Sequence, residues 1–230
     1  MLLLAIDTST PRVAVAIGEL GRVRGEVALS GRRRHAEQLA PAIAYLCEQT
    51  QVELGQLAAV AVGVGPGLFT GLRVGVTTAK IMAQALRIPV VPVPSLDLVA
   101  YPLRHSSRLV AVVLDARRRE VYSAQYRPVP GGVQRTSEYA VGPADDLVAD
   151  LAVRGEEVLL AGDGIDRNRD AFATLDRAEE AGAAFDAPSA TALVELASGR
   201  VEREEFESPY DVRPLYLRAS DAELAWEQAR

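Results

Sequence analysis

Two aspartates close apolar runs: Asp7 follows residues 2–6 and Asp115 follows residues 109–114. Carboxylates so placed could hold a hydrated Mg²⁺, as hard oxygen ligands do; the alternative is that each simply ends a strand. Polar stretches follow both, Asp7-Thr8-Ser9-Thr10-Pro11-Arg12 and Asp115-Ala116-Arg117-Arg118-Arg119. Hairpins that wrap phosphates depend on glycine, because only a backbone without Cβ lets N–H groups approach an anion closely. Neither stretch contains one, and Pro11 also lacks an N–H and stiffens the first. The segment from Gly65 to Gly71 is richer in glycine and leads into a helical pattern whose N-terminus would attract anions. No Gly-Lys-Ser/Thr follows it, so a tight turn feeding a helix is the preferred reading over a phosphate loop.

Other chemistries find less support. The two histidines, His35 and His105, are far apart in sequence, and Cys47 is the single cysteine, so neither a metal site nor an internal disulfide is expected. Cys47 reads as a small core residue in a reducing cytoplasm. The chain has no Gly-x-Ser-x-Gly nucleophile elbow, and a serine hydrolase is not indicated. The net charge is −6 and the pI about 5.1, whereas a protein that grips nucleic acid by itself carries a basic surface. Arg32-Arg33-Arg34 and Arg117-Arg118-Arg119 are either solvated loop arginines or local basic patches.

These residues sit on a repeating order of elements. Residues 2–6, 13–17 and 23–29, with a tight turn at 18–21, predict an antiparallel meander. Over residues 35–49 the period becomes helical, through Leu39, Ile43, Leu46 and Cys47. Pro41 predicts a distorted first turn or a later start. The apolar run at 57–62 predicts a buried parallel strand. Thr70 is placed to cap a helix reaching about residue 86. Residues 88–93 predict another strand, and Ser95 is placed to cap a short helix through residue 101. The order then restarts. Strands are expected at 109–114, 121–126, 133–139 and 158–161, and helices at 145–151 and 190–197; residues 200–214 show no period. A duplication of this kind predicts an α/β protein of two lobes, residues 1–104 and 105–230. It is the arrangement of actin, hexokinase and Hsp70-like ATPases, a ribonuclease H-like fold with a mixed sheet flanked by helices in each lobe. With 49% hydrophobic residues, and no apolar run near the ~20 needed to cross a bilayer, a packed globular chain without a membrane span is expected.

Particular segments carry a family likeness: Ala5-Ile6-Asp7-Thr8-Ser9, Gly65-Pro66-Gly67-Leu68-Phe69-Thr70-Gly71-Leu72-Arg73, Ala79-Lys80, and Asp115-Ala116-Arg117 with Glu120-Val121-Tyr122. Ala161-Gly162-Asp163-Gly164 and Pro214-Leu215-Tyr216-Leu217-Arg218 agree with them. Over residues 1–218 the chain resembles the TsaB family, dimerisation subunits of the bacterial threonylcarbamoyladenosine machinery, formerly called YeaZ or glycoprotease-like. The resemblance implies a cytoplasmic, non-enzymatic subunit without cofactor. It would pair with the catalytic subunit TsaD and support binding of the ATPase TsaE. The reaction served is threonylcarbamoyl transfer to N6 of the adenosine next to the anticodon of ANN-decoding tRNAs, with tRNA met only through the complex. It further implies that Ser95 and Val99 occupy the positions of two metal-binding histidines in the TsaD paralogue. Asp7, Thr8, Ser9, Asp115, Gly162, Asp163 and Gly164 would be the remains of a nucleotide site, Gly162-Asp163-Gly164 matching an adenosine-binding corner; a plain turn is the alternative.

Gly71, Gly75, Ala79 and Ala83 recur at four-residue intervals and form a stripe of small side chains. A glycine inside a helix costs about 1 kcal/mol relative to alanine, which a close-packed backbone would offset. That backbone belongs either to the chain's own sheet or to a partner. The helix over 35–49 joins the apolar Leu39, Ile43 and Leu46 to Ala36, Ala40, Ala42 and Ala44, a pattern compatible with burial on two sides. In the resembled family these two helices contact TsaD. The expected contact residues are therefore Leu39, Ile43, Leu46, Gly71, Leu72, Gly75, Ala79, Met82 and Ala83, in an interface of ~1,200–2,000 Å². The same surface would give homodimers in isolation. Arg117, Arg118 and Arg119 are candidates for tRNA or partner contact. An independent ATPase or kinase of this fold is the main alternative, opposed by the glycine-free hairpins. A peptidase rests on the older family label alone.

Overall fold

A computed structural model of the chain describes residues 1–31 and 34–218. Arg32 and Arg33 of the first arginine run, and the acidic C-terminal stretch, lie outside the described residues. The first sheet is built from β1 (Leu2–Asp7), β2 (Arg12–Glu19), β3 (Arg22–Ser30), β4 (Leu57–Gly63) and β5 (Val90–Val93), in the order β3-β2-β1-β4-β5. β1, β2 and β3 pair antiparallel, while β4 and β5 add in parallel. The second sheet uses β6 (Leu109–Arg117), β7 (Glu120–Val129), β8 (Gly132–Arg135), β9 (Ala140–Pro143), β10 (Val158–Ala161) and β11 (Ala178–Glu180). Its order β8-β7-β6-β10-β11 repeats the first sheet, with the same pattern of antiparallel and parallel pairs. Two mixed sheets of identical order make this a duplicated actin-like fold. The single strand expected at 133–139 divides into β8 and β9, both paired with β7.

The continuous apolar runs follow from burial on both faces. Leu4 and Ile6 of β1 face α1 (His35–Thr50) and α2 (Phe69–Leu86), whereas Leu3 and Ala5 face the opposite side. There α3 (Ser95–Ala100) bridges the sheets, with Leu98 in the first lobe's core and Leu96 and Val99 in the second's. α4 (Ala144–Arg154), α5 (Gly164–Arg167) and α6 (Arg169–Phe172) lie on the second sheet.

Local expectations change in three places. α1 runs unbroken from His35, because Pro41 lies on its exposed side, where water can meet the carbonyl left unpaired. Thr70 does not cap α2: Leu68 precedes the helix, and its N–H donates to Ser9 O at 2.7 Å. Ser95 is the first residue of α3 rather than its cap, and its hydroxyl is engaged elsewhere.

After residue 189 the chain returns to the first lobe. α7 (Ala190–Glu202) buries Ala190, Leu193, Val194 and Ala197 against the first sheet. The segment without sequence period then crosses α2 as a strap. Glu207 exchanges backbone hydrogen bonds with Val90, Leu215 N donates to Val64 O at 2.7 Å, and Lys80 Nζ donates to Val212 O at 2.9 Å. The chain thus leaves the first sheet after β5, builds the second from β6 to β11, and returns to the first through α7 and the strap.

Candidate functional site

Parallel strands of an α/β fold present their C-terminal ends to ligands. At those ends, in the first lobe, lies Asp7. Its Oδ1 accepts from Ser9 N at 3.0 Å and from Ser9 Oγ at 2.8 Å. Its Oδ2 accepts from Ser95 Oγ at 3.0 Å, and Ser95 Oγ in turn accepts from Gly65 N at 3.1 Å. Burial pushes this carboxyl above its ordinary range, against the pull of the Ser9 and Ser95 donors and of His35. A Cβ on Gly63 would overlap the Asp7 carboxylate, so no space is left between them. Both carboxylate oxygens are therefore spent inside the chain.

The glycine-rich segment serves the same packing. A Cβ at Gly67 would strike Ser9 O, and one at Gly71 would strike Thr8 O. Thr8 Oγ1 donates to Gly71 O at 2.8 Å, and His35 Nε2 lies 2.8 Å from Thr10 O. What sits against these glycines is the chain's own first hairpin, where a phosphate loop would hold its anion.

In the second lobe Asp115 Oδ2 pairs with Arg167 Nε at 3.0 Å, and Oδ1 accepts from Arg117 N at 2.8 Å. Asp115 N donates to Asp163 Oδ1 at 3.0 Å. Burial pushes the Asp163 carboxyl up to about 6, against the Asp115 N–H and Arg167, with the charges of Asp115 and Asp186 adding to the rise. Gly162 has φ +116°, and a Cβ there would overlap Val113 O; a Cβ on Gly164 would crowd Leu114. The Gly162-Asp163-Gly164 corner is a turn pressed onto β6.

Ser9, Thr10 and Pro11 face Asp115, Arg117, Asp163 and Arg167 across a crevice of about 40 Å³. That is room for a few water molecules. The residues present do not fit a nucleotide: the hairpins offer no glycine cradle, and both acids are engaged. Of the positions matched to metal ligands, Ser95 bonds Asp7 and Val99 is buried in the second core. Among the described residues no group of three His, Cys, Asp or Glu side chains is placed to hold a metal ion.

The β6–β7 hairpin carries an unusual backbone. Arg117, Arg118 and Arg119 have φ of 64°, 56° and 64°, and all three are exposed. Left-handed backbone costs an L-residue about 1 kcal/mol, and such turns ordinarily use Asn or Gly.

Most of the residues expected to meet a partner lie inside. Leu39, Ile43, Leu46, Leu72, Ala79 and Ala83 are buried in the first lobe, and a Cβ on Gly75 would overlap Thr8 Oγ1. The small-residue stripe is filled by this protein's own hairpin and sheet, and of the nine only Met82 is partly exposed. The faces turned outward are different. α1 shows Ala36, Ala40, Pro41, Ala44 and Tyr45, and α2 shows Arg73, Thr77 and Ile81; Tyr45 is 54% and Ile81 60% exposed. The strap extends this surface. Tyr216 stacks on Phe69 with ring centroids 4.9 Å apart, Arg73 lies 3.9 Å over Phe69, and Gln84 Nε2 donates to Tyr210 Oη at 3.0 Å.

Sequence reasoning passed over one buried cluster. Asp97 Oδ1 accepts from both Tyr126 Oη and Tyr139 Oη at 2.8 Å, tying α3 to the second sheet. The signal available was a lone acid within an otherwise uncharged helix.

A family model described as TsaD, tRNA N6-adenosine threonylcarbamoyltransferase, matches residues 22–226. An uncharacterized protein of Mycobacterium tuberculosis is 41% identical over 160 residues, 66% of this chain and 71% of that protein. The tRNA threonylcarbamoyladenosine biosynthesis protein TsaB of Haemophilus influenzae is 28% identical over 233 residues, 98% of this chain and 96% of its own. A solved Pseudomonas aeruginosa protein described as similar to the peptidase YeaZ superposes with TM-score 0.81 at 31% identity, covering 94% of this chain and 99% of that one. The Clostridium difficile activator of 2-hydroxyisocaproyl-CoA dehydratase, solved with bound ADPNP, has a TM-score of 0.50 at 12% identity, covers the same shares of the two chains and shares the fold alone. The family match over most of the chain, the full-length likeness to a TsaB protein and the YeaZ-like structure together place this chain in the TsaD-like family, in its TsaB branch.

Proposed function

We propose that this chain is a non-catalytic subunit for threonylcarbamoyl transfer to N6 of the adenosine next to the anticodon. It works in the cytoplasm by docking onto a TsaD-type catalytic subunit and supporting TsaE there. Its relatives' role in tRNA threonylcarbamoyladenosine biosynthesis supports the pathway. The observation that carries the non-catalytic reading is the state of the crevice. Asp7 is closed in by Ser9, Ser95 and Gly63, Asp115 is paired with Arg167, and the crevice beside Ser9, Thr10 and Pro11 is small, about 40 Å³. A nucleotide would have to displace these bonds to engage either carboxylate.

Docking is assigned to the outward faces of α1 and α2, in the first lobe over residues 1–104. Alanines along one helix let another helix approach closely, and Tyr45, Ile81 and Met82 supply apolar area. The buried stripe acts behind them, holding α2 tightly to β1 so that the docking face is rigid. In the absence of the catalytic subunit, the same face would pair with a second copy. Calorimetry of the isolated chain with Mg-ATP tests the reading: no binding in the micromolar range is expected. Tight binding with turnover would instead favour an independent ATPase.

A further inference from the structure

The run Pro214-Leu215-Tyr216-Leu217-Arg218 closes the strap. Its residues turn to different neighbours in succession. Leu215 N donates to Val64 O at 2.7 Å, and a Cβ on Gly65 would come within 3.0 Å of Leu215 O, so the strap is seated at the C-terminal end of β4. Tyr216 stacks on Phe69 of α2, and Arg73 Nε donates to Tyr216 Oη at 3.4 Å. These contacts belong to the first lobe. The next two residues belong to the second: Leu217 packs on the core that holds Leu114 and Tyr122, and Arg218 Nη1 donates to Glu120 Oε2 at 2.5 Å in a partly buried ion pair. Glu120 faces Arg117 across the β6–β7 pair, at the hairpin that brings Asp115 and Arg117 to the crevice. Gly67 and Leu68, between Gly65 and Phe69, line the opposite wall. Within four residues the strap passes from one wall to the other.

Elsewhere the sheets are joined through α3, with Leu98 in one core and Leu96 and Val99 in the other, and through the chain that returns to α7. The crevice bonds of Asp115 and Asp163 stay within the second lobe, and that of Thr8 to Gly71 stays within the first. Lobes held at a few element ends pivot about them as a hinge. A further join, made by a separate segment, removes that freedom. An ion pair alone holds little. Here it sits beside Leu217, so an apolar contact and a charge pair must be released together.

We propose that the end of the strap is a clasp between the lobes. Leu217 and Arg218 fix the second sheet to the first lobe, and their release lets the crevice widen about α3. The clasp acts in the isolated chain, whatever subunit that chain serves.

The test is a pulsed-EPR distance between spin labels at Pro11→Cys and Asp166→Cys, exposed positions on the two sides of the crevice, in a Cys47→Ala chain diluted with unlabelled protein. With the native strap a single narrow distribution is expected. Arg218→Glu sets two carboxylates against each other and should add a population at longer distance; Leu217→Ser should add the same one. Arg218→Ala, a milder change, should add a smaller share of it if Leu217→Ser does not fold. Exchanging the charges, Glu120→Arg with Arg218→Glu, should restore the narrow distribution. A pair with a local role alone would lower Tm and leave the distance where it was. Unchanged distances in the Arg218 and Leu217 variants would therefore overturn the clasp. So would a longer-distance population that the charge exchange fails to remove, or a broad distribution already present with the native strap.

Discussion

At the scale of single residues, Asp7, Asp115 and Asp163 are all bonded within the chain. Asp163 shows the consequence most directly. Its carboxyl holds its proton up to about 6, against 3.8 for a free side chain. The folded state therefore binds more protons than the unfolded one between those values, so stability falls as pH rises from about 4 through 6 and then levels. Asp163→Asn keeps an oxygen for the Asp115 N–H and removes the buried charge. It should stabilise the protein by about 1–2 kcal/mol at pH 7.5 and by less at pH 5, as read from urea unfolding. A gap that does not widen with pH would show that the charge is not the cause. The sequence displayed Asp7 and Asp115 as strand-ending acids beside glycine-free hairpins. What each acid bonds could not be read, because Ser95 and Arg167 reach them from far along the chain, and such pairings leave no local pattern.

Elements carry the clearest correction. The stripe Gly71, Gly75, Ala79, Ala83 was legible as a demand for close backbone approach; its spacing could not say whose backbone approaches. Gly71 meets Thr8 O, an immovable main-chain atom. Gly71→Ala should therefore destabilise the fold by about 2–3 kcal/mol in thermal or urea unfolding, although helix propensity alone favours alanine by about 1 kcal/mol. A stabilised variant would mean that the hairpin yields easily. The outer face should behave oppositely. Ile81→Arg, on an exposed position, should change stability by no more than about 0.5 kcal/mol yet abolish binding to the catalytic subunit in calorimetry. Undiminished affinity would move the docking surface elsewhere. The strap escaped the sequence because it has no period: its bonds to Val64, Val90 and Lys80 are backbone and tertiary, which composition does not encode.

On the scale of the whole molecule, duplication was legible in the returning order of strands and helices, since each sheet must alternate its burial in the same way. The return of α7 to the first lobe was not, because a helix with a buried face packs equally well on either sheet. The result is a fold in which Asp7 and Asp115 are bonded within the chain while Tyr45 of α1 and Ile81 of α2 stand exposed. The measurement that bears most directly on this reading is the yield of threonylcarbamoyl-adenosine on tRNA when a TsaD-type subunit is supplied with this chain. Full yield is expected with the wild type and with Asp115→Asn, and background yield with Ile81→Arg. Modified adenosine from this chain without the catalytic subunit, or full yield with Ile81→Arg, would contradict it.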